Sequence, residues 1–167
     1  AGATPLLIAS ENGHLEVVRV LCDAGADKDK VAQTGVAPLH MASLKGYLQI
    51  VRYLCEAGAD KGMAYQTGAT PLYFAAEKGH LEVVRYLFLA GADKEKAEEA
   101  GVAPLFIASQ KGHLDIVRCL CDAGVNRVKA TQTGATPLYL ASENGRLEVV
   151  RYLCETGADK DQAKQTG

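Results

Sequence analysis

Three histidines share one spacing in this chain of 167 residues: His14, His80 and His113 fall on a 33-residue step, with Tyr47 and Arg146 in the other two copies. Imidazole is a common metal ligand, but ligands must converge to about 2 Å from the ion. Equivalent positions of stacked helical units stand roughly 8–10 Å apart, so these side chains are expected to start helices and to hydrogen-bond locally. Cys119 and Cys121 lie two apart on a helical segment and do not face each other. No Cys/His cluster has zinc spacing. Arg19, Arg52, Arg85, Arg118 and Arg151 form a ladder that could track phosphates. Each follows an acid or amide by three residues (Glu16, Gln49, Glu82, Asp115, Glu148), and four precede an acid by four (Asp23, Glu56, Asp122, Glu155). Those spacings meet on a helix surface, which makes a solvated, self-neutralised face the expectation. Ser10, Ser43, Ser109 and Ser142 share their slot with Ala76 and read as small packing residues. There is no Gly-x-Ser-x-Gly elbow, phosphate-binding Gly-Lys-Ser/Thr loop or His-Glu-x-x-His pair. No catalytic residue, metal or cofactor is expected.

Charge narrows the classes further. Eighteen basic and twenty acidic side chains leave a net charge of −2, without the basic excess of a nucleic-acid binder. No apolar run approaches the length of about 18 residues needed to cross a membrane, and no signal-peptide pattern is visible at the first residues. Cysteines 22, 55, 121 and 154 share one slot with Phe88, and a slot shared by Cys and Phe is an apolar core slot. A disulfide needs Cα atoms within about 7 Å, less than the stacking distance. Unpaired thiols imply a reducing compartment, cytosol or nucleus.

Stepping by 33 residues organises the whole chain. Every proline obeys it (Pro5, Pro38, Pro71, Pro104, Pro137), as do three glycine series beginning at Gly2, Gly13 and Gly25. The units are 2–34, 35–67, 68–100, 101–133 and 134–166, and Gly167 would open a sixth. Each reads as two short helices and a turn. In the third, Thr70 caps a first helix that Pro71 begins, Ala75 and Ala76 give it a small face, and Gly79 ends it. Apolar residues at 81, 83, 84, 87 and 88 then mark a second helix, which Gly91 closes. Asp93 to Ala100 has the length of a turn or hairpin. One such unit has too small an apolar face to fold alone, so neighbours must share a core.

Gly-Ala-Thr-Pro-Leu at 68–72, Gly-His-Leu-Glu-Val-Val at 79–84 and Leu-Cys-Asp-Ala-Gly-Ala-Asp at 21–27 resemble the ankyrin-repeat family over the full chain. The resemblance implies an all-α solenoid of helix-turn-helix units with connecting β-turns or hairpins, forming a single array over 1–167. It also implies a concave recognition surface of hairpin tips and first helices. The chain departs from the family at the residue after Thr-Pro-Leu, where His is favoured; the slot holds Leu7, His40, Tyr73, Phe106 and Tyr139. Its one histidine falls where Ala37 replaces Thr. Ala37 and Ala103 give up the N-cap, so the second and fourth units are expected to have weaker first-helix starts. Odd units carry Ala-Thr-Pro and even units Val-Ala-Pro, an alternation that folding alone does not require.

A repeat lets the copies be compared to find what the scaffold leaves free. The turn slot Ala32/Tyr65/Glu98/Thr131/Lys164 differs in every copy. Its neighbours vary too, as Asp29/Gly62/Glu95/Val128/Asp161 and Lys30/Met63/Lys96/Lys129/Gln162. Late first-helix slots read Glu11/Leu44/Glu77/Gln110/Glu143 and Asn12/Lys45/Lys78/Lys111/Asn144. The expected contact surface is Leu44, Lys45, Met63, Tyr65, Glu98, Gln110 and Lys111, anchored on Met63 and Tyr65 because exposed aromatic and Met residues are enriched at interfaces. The expected function is a non-catalytic scaffold binding a protein partner. Alternatives are an engineered scaffold without a physiological partner, and a structural segment of a longer solenoid. Terminal units that keep the internal pattern imply end-to-end self-association.

Overall fold

The computed structural model describes residues 2–96, 98 and 101–161; Gln162, Lys164 and Gly167 lie outside them. Among the described residues there are ten helices and no strand: α1 (Pro5–Glu11), α2 (Leu15–Asp23), α3 (Pro38–Lys45), α4 (Leu48–Glu56), α5 (Pro71–Lys78), α6 (Leu81–Leu89), α7 (Pro104–Lys111), α8 (Leu114–Asp122), α9 (Pro137–Glu143) and α10 (Leu147–Glu155). They fall into two compact units, Ala1–Asp93 with α1–α6 and Lys94–Gly167 with α7–α10. Within the first, each odd helix pairs with the even helix after it, α1, α3 and α5 lie side by side, and so do α2, α4 and α6. The second unit repeats the scheme, with α7 on α9 and α8 on α10.

The local causes are those the repeat announces. Thr4, Thr70 and Thr136 accept the backbone N–H three residues on, at 3.1, 3.2 and 3.1 Å, and a proline follows each at the first helical position. The second helices bury a stripe such as Ile50, Val51, Leu54 and Cys55 in α4. Each fully buried Leu or Ile there contributes about 1.5–3 kcal/mol. Between helix pairs the chain closes a tight turn: the Tyr65 N–H donates to the Ala69 carbonyl at 2.8 Å, and the Gly68 N–H donates to the Tyr65 carbonyl at 2.7 Å. Ala32, Glu98 and Thr131 make the same pair of bonds.

Two sequence expectations change. Ala37 has no cap side chain, yet His40 supplies the missing partner, its Nδ1 accepting the Ala37 N–H at 3.1 Å. The start of α3 is therefore held, while α7, with Ala103 at its cap and Phe106 in the histidine's place, has no side-chain cap bond. In the slot of His14, His80 and His113, the bonds made by His80 and by its equivalent Arg146 are not local either. His80 Nε2 bonds the Leu44 carbonyl of the preceding copy at 3.0 Å, and Arg146 Nε donates to the Gln110 carbonyl at 2.9 Å. A Cβ on Gly46 would lie 2.5 Å from the His80 ring, and one on Gly112 would lie 2.8 Å from Arg146. Glycine is thus required where the next copy's side chain crosses the helix end.

The arginine ladder is paired as expected on one side. Arg19, Arg85 and Arg151 meet Glu16, Glu82 and Glu148 at 3.5, 3.8 and 3.3 Å. The acid four residues on has another use in the first copy, where Asp23 accepts the Tyr53 hydroxyl at 3.0 Å. Arg19, Arg52 and Arg118 also lie over the rings of Tyr53, Tyr86 and Tyr152, at 5.5–5.7 Å. Three rungs of the ladder, Arg19, Arg52 and Arg118, therefore tie one copy to the next. All five cysteines are free, with Cys55 and Cys121 buried in their slot.

Candidate interaction surface

The turn and first-helix side of the first unit carries a hollow of about 170 Å3 lined by Val36, His40, Met41, Leu44, Tyr65 and Phe74. Leu44 reaches it from the last turn of α3, and Tyr65 from the closed turn before α5. Phe74, in α5, organises the floor by edge-to-face contacts with His40 at 5.7 Å, Tyr65 at 5.9 Å and Tyr73 at 6.0 Å. Such pairs add roughly 0.5–1.5 kcal/mol beyond their burial, so the ring positions are fixed before anything binds. Each of the copy-specific residues Leu44 and Tyr65 is half-buried and turns one side into this hollow.

His40 joins α3 to the turn behind it. Its Nδ1 accepts from Ala37, so the ring proton sits on Nε2 and donates to the Met63 carbonyl at 2.9 Å. The side chain is 1% exposed. Burial holds its pKa below the ordinary histidine value, against the opposing pull of the Met63 carbonyl and of Asp60 and Asp29. A neutral, doubly bonded imidazole is a positioning element, and it leaves no lone pair for a metal. Met63 contributes its backbone to this arrangement, while its side chain is half-buried outside the hollow's lining.

A second hollow of about 400 Å3 adjoins the first and shares Val36 and Met41 with it; Leu7, Glu11, Gln33 and Thr34 complete much of its wall. Lys45 is exposed at the end of α3, next to Leu44. The remaining expected residues belong to the second unit. Glu98 closes its turn through its backbone, Gln110 gives its carbonyl to Arg146, and the exposed Lys111 borders a hollow of about 210 Å3 with Arg146 and Leu147. Among the expected residues, the structure brings together Leu44 and Tyr65 around one hollow.

Sequence comparison of the copies missed Val36, Met41 and Phe74. The available signal was the changing bulk of one slot, Ile8/Met41/Phe74/Ile107/Leu140, which reads as ordinary core variation. It also treated Asp29 and Glu95 as free to vary. Asp29 accepts the Asp60 N–H of the next copy at 3.0 Å, and Glu95 accepts the Asn126 N–H at 3.5 Å. Even copies carry Gly62 and Val128 there, which gives the odd–even alternation a physical correlate. A further tie was legible but unread: a basic residue stands at 28, 61, 94, 127 and 160. Lys94 donates to the Ala123 carbonyl and Arg127 to the Thr156 carbonyl, the latter at 2.9 Å. Each satisfies a helix end in the following copy.

A family model described as ankyrin repeats, in three copies, matches residues 1–65 and 72–164. No curated protein matches the chain.

Proposed function

The chain belongs to the ankyrin-repeat family, and on that premise we propose that it is a non-catalytic scaffold whose first unit grips a partner protein through its turn and first-helix face. Ankyrin repeats generally mediate protein–protein interaction. The observation that carries the finer reading is the meeting of Leu44 and Tyr65, two residues the scaffold does not prescribe, at a hollow with an ordered aromatic floor. A hollow of about 170 Å3 suits one bulky apolar side chain of the partner, the kind of central anchor that dominates interface energies. Lys45 and Met63 form the nearby rim in this reading, and Glu98, Gln110 and Lys111 supply secondary contacts from the second unit. Five free thiols support a reducing compartment, cytosol or nucleus.

The experiment is a pull-down with the intact chain and with a Leu44→Ala, Tyr65→Ala variant of unchanged helicity. A partner retained by the first and lost by the second supports the reading. Equal capture by both retires the hollow as the anchor.

A further inference from the structure

The two adjoining hollows of the first unit differ in charge. The smaller is lined by no charged side chain, since His40 is neutral. The larger, of about 400 Å3, has apolar walls of Leu7, Val36 and Met41 and a single charged lining residue, Glu11. Its walls come from the first copy and from the start of the second.

Glu11 is half-buried as the last residue of α1. The acids in the same slot of other copies are answered from within those copies. Glu77 meets Lys78 at 3.4 Å, and Glu143 accepts the Tyr139 hydroxyl at 3.3 Å. The first copy has neither device. Leu7 fills the tyrosine's slot and has no hydroxyl. Asn12 fills the lysine's slot and donates its side-chain amide to the Ile8 carbonyl at 2.9 Å. Among the described residues, the Glu11 carboxylate has no ion-pair or hydrogen-bond partner. A carboxylate at the edge of an apolar hollow suits a long aliphatic stem that ends in a positive charge. The stem lies along Leu7, Val36 and Met41 while the head stays at the wet rim. A wholly apolar side chain would cover Glu11 without answering it, which costs binding energy, and an acidic one would be repelled.

Taking the Leu44–Tyr65 hollow as the anchor for a partner protein, as read above, we propose that the bound segment also carries a basic side chain, seated in the larger hollow against Glu11. The hollows share Val36 and Met41 and lie one copy apart, roughly 8–10 Å for stacked helices. An extended segment with three residues per turn and a rise of about 3.1 Å per residue puts residues i and i+3 on one face at that spacing. The basic residue and the apolar anchor therefore stand three apart in the partner. One supplies charge complementarity and the other apolar burial, so each can be removed without the other.

Selection from a random-peptide display library on the intact chain, in parallel with Glu11→Gln and Glu11→Lys, tests the proposal. Wild type should enrich Lys or Arg three residues from a bulky apolar residue. Glu11→Gln should keep the apolar residue and lose the basic preference, and Glu11→Lys should exchange it for an acidic one. A peptide selected on wild type should bind Glu11→Gln about fivefold more weakly, the upper range for a solvent-accessible ion pair. The same peptide with its basic residue changed to glutamate should prefer Glu11→Lys to wild type. Both variants should keep the wild-type circular dichroism, because the Glu11 side chain holds nothing in α1; should one misfold, the other still carries the test. A wild-type selection with no basic preference, or a preference that survives in a folded Glu11→Lys chain, overturns the proposal and leaves the anchor standing if apolar residues are enriched. Basic residues enriched without an apolar companion would overturn the anchor and the pairing together.

Discussion

The helices α3 and α7 begin with the same Val-Ala-Pro-Leu and part company at the next residue, His40 in one and Phe106 in the other. In the first unit the imidazole spends both nitrogens on backbone, one on the Ala37 N–H and one on the Met63 carbonyl. The residues around it, Met41, Leu44, Tyr65 and Phe74, frame an open hollow. In the second unit Phe106 and Ile107 are 2% and 5% exposed and fill the same slots with hydrocarbon. Its turn residue, Thr131, is engaged locally, its hydroxyl accepting the Ala135 N–H at 3.1 Å. One backbone plan therefore yields an open hollow or a closed core according to two side chains. The repeat fixes where the helices are, and the slots it leaves free decide what the surface can hold.

The largest expected consequence concerns the filled side. Phe106→Ala should cost about 3–5 kcal/mol in urea-induced unfolding, the range for emptying a buried aromatic site. Phe74→Ala, at a half-buried ring, should cost clearly less. Equal losses would break the contrast between a closed and an open face. Next in size is His40→Phe, which gives α3 the residue of α7. It strands the buried Ala37 N–H, and leaving such a donor unsatisfied costs about 1–3 kcal/mol. Phe106→His, the reverse exchange, should restore a cap bond at Ala103 while losing apolar burial.

The smallest effect is the pH dependence. Burial keeps the His40 pKa below its unfolded value, so the unfolded chain binds the proton more readily. The stability due to a neutral His40 is fully present above the unfolded value of about 6.5. It is lost as pH falls from there through the lowered folded value. Chemical denaturation at neutral and mildly acidic pH should show wild type losing more stability than His40→Phe. An identical pH slope in the two proteins would contradict the buried, neutral imidazole.

Much of this was written plainly in the sequence. The 33-residue step, the threonine caps and the proline starts each depend on bonds within three or four residues, so they can be read locally. The hidden parts act between copies. His80 bonding Leu44, Asp29 bonding Asp60 and Arg127 bonding Thr156 link residues about thirty apart, and no local pattern reveals which of two equivalent neighbours a side chain will choose. The cap on α3 escaped for a related reason: searching for an oxygen at Ala37 overlooks a nitrogen three residues later. Leu44 and Tyr65 could be singled out because they vary, whereas Met41 and Phe74 vary only in bulk and look like core.

The most direct test of recognition by the first unit is calorimetric titration of the captured partner into two double variants, Leu44→Ala with Tyr65→Ala and Gln110→Ala with Lys111→Ala. The hollow as anchor predicts at least a tenfold loss of affinity for the first, about 1.4 kcal/mol or more, and a distinctly smaller change for the second. An unchanged Kd in the first variant, or an equal loss in both, would contradict it.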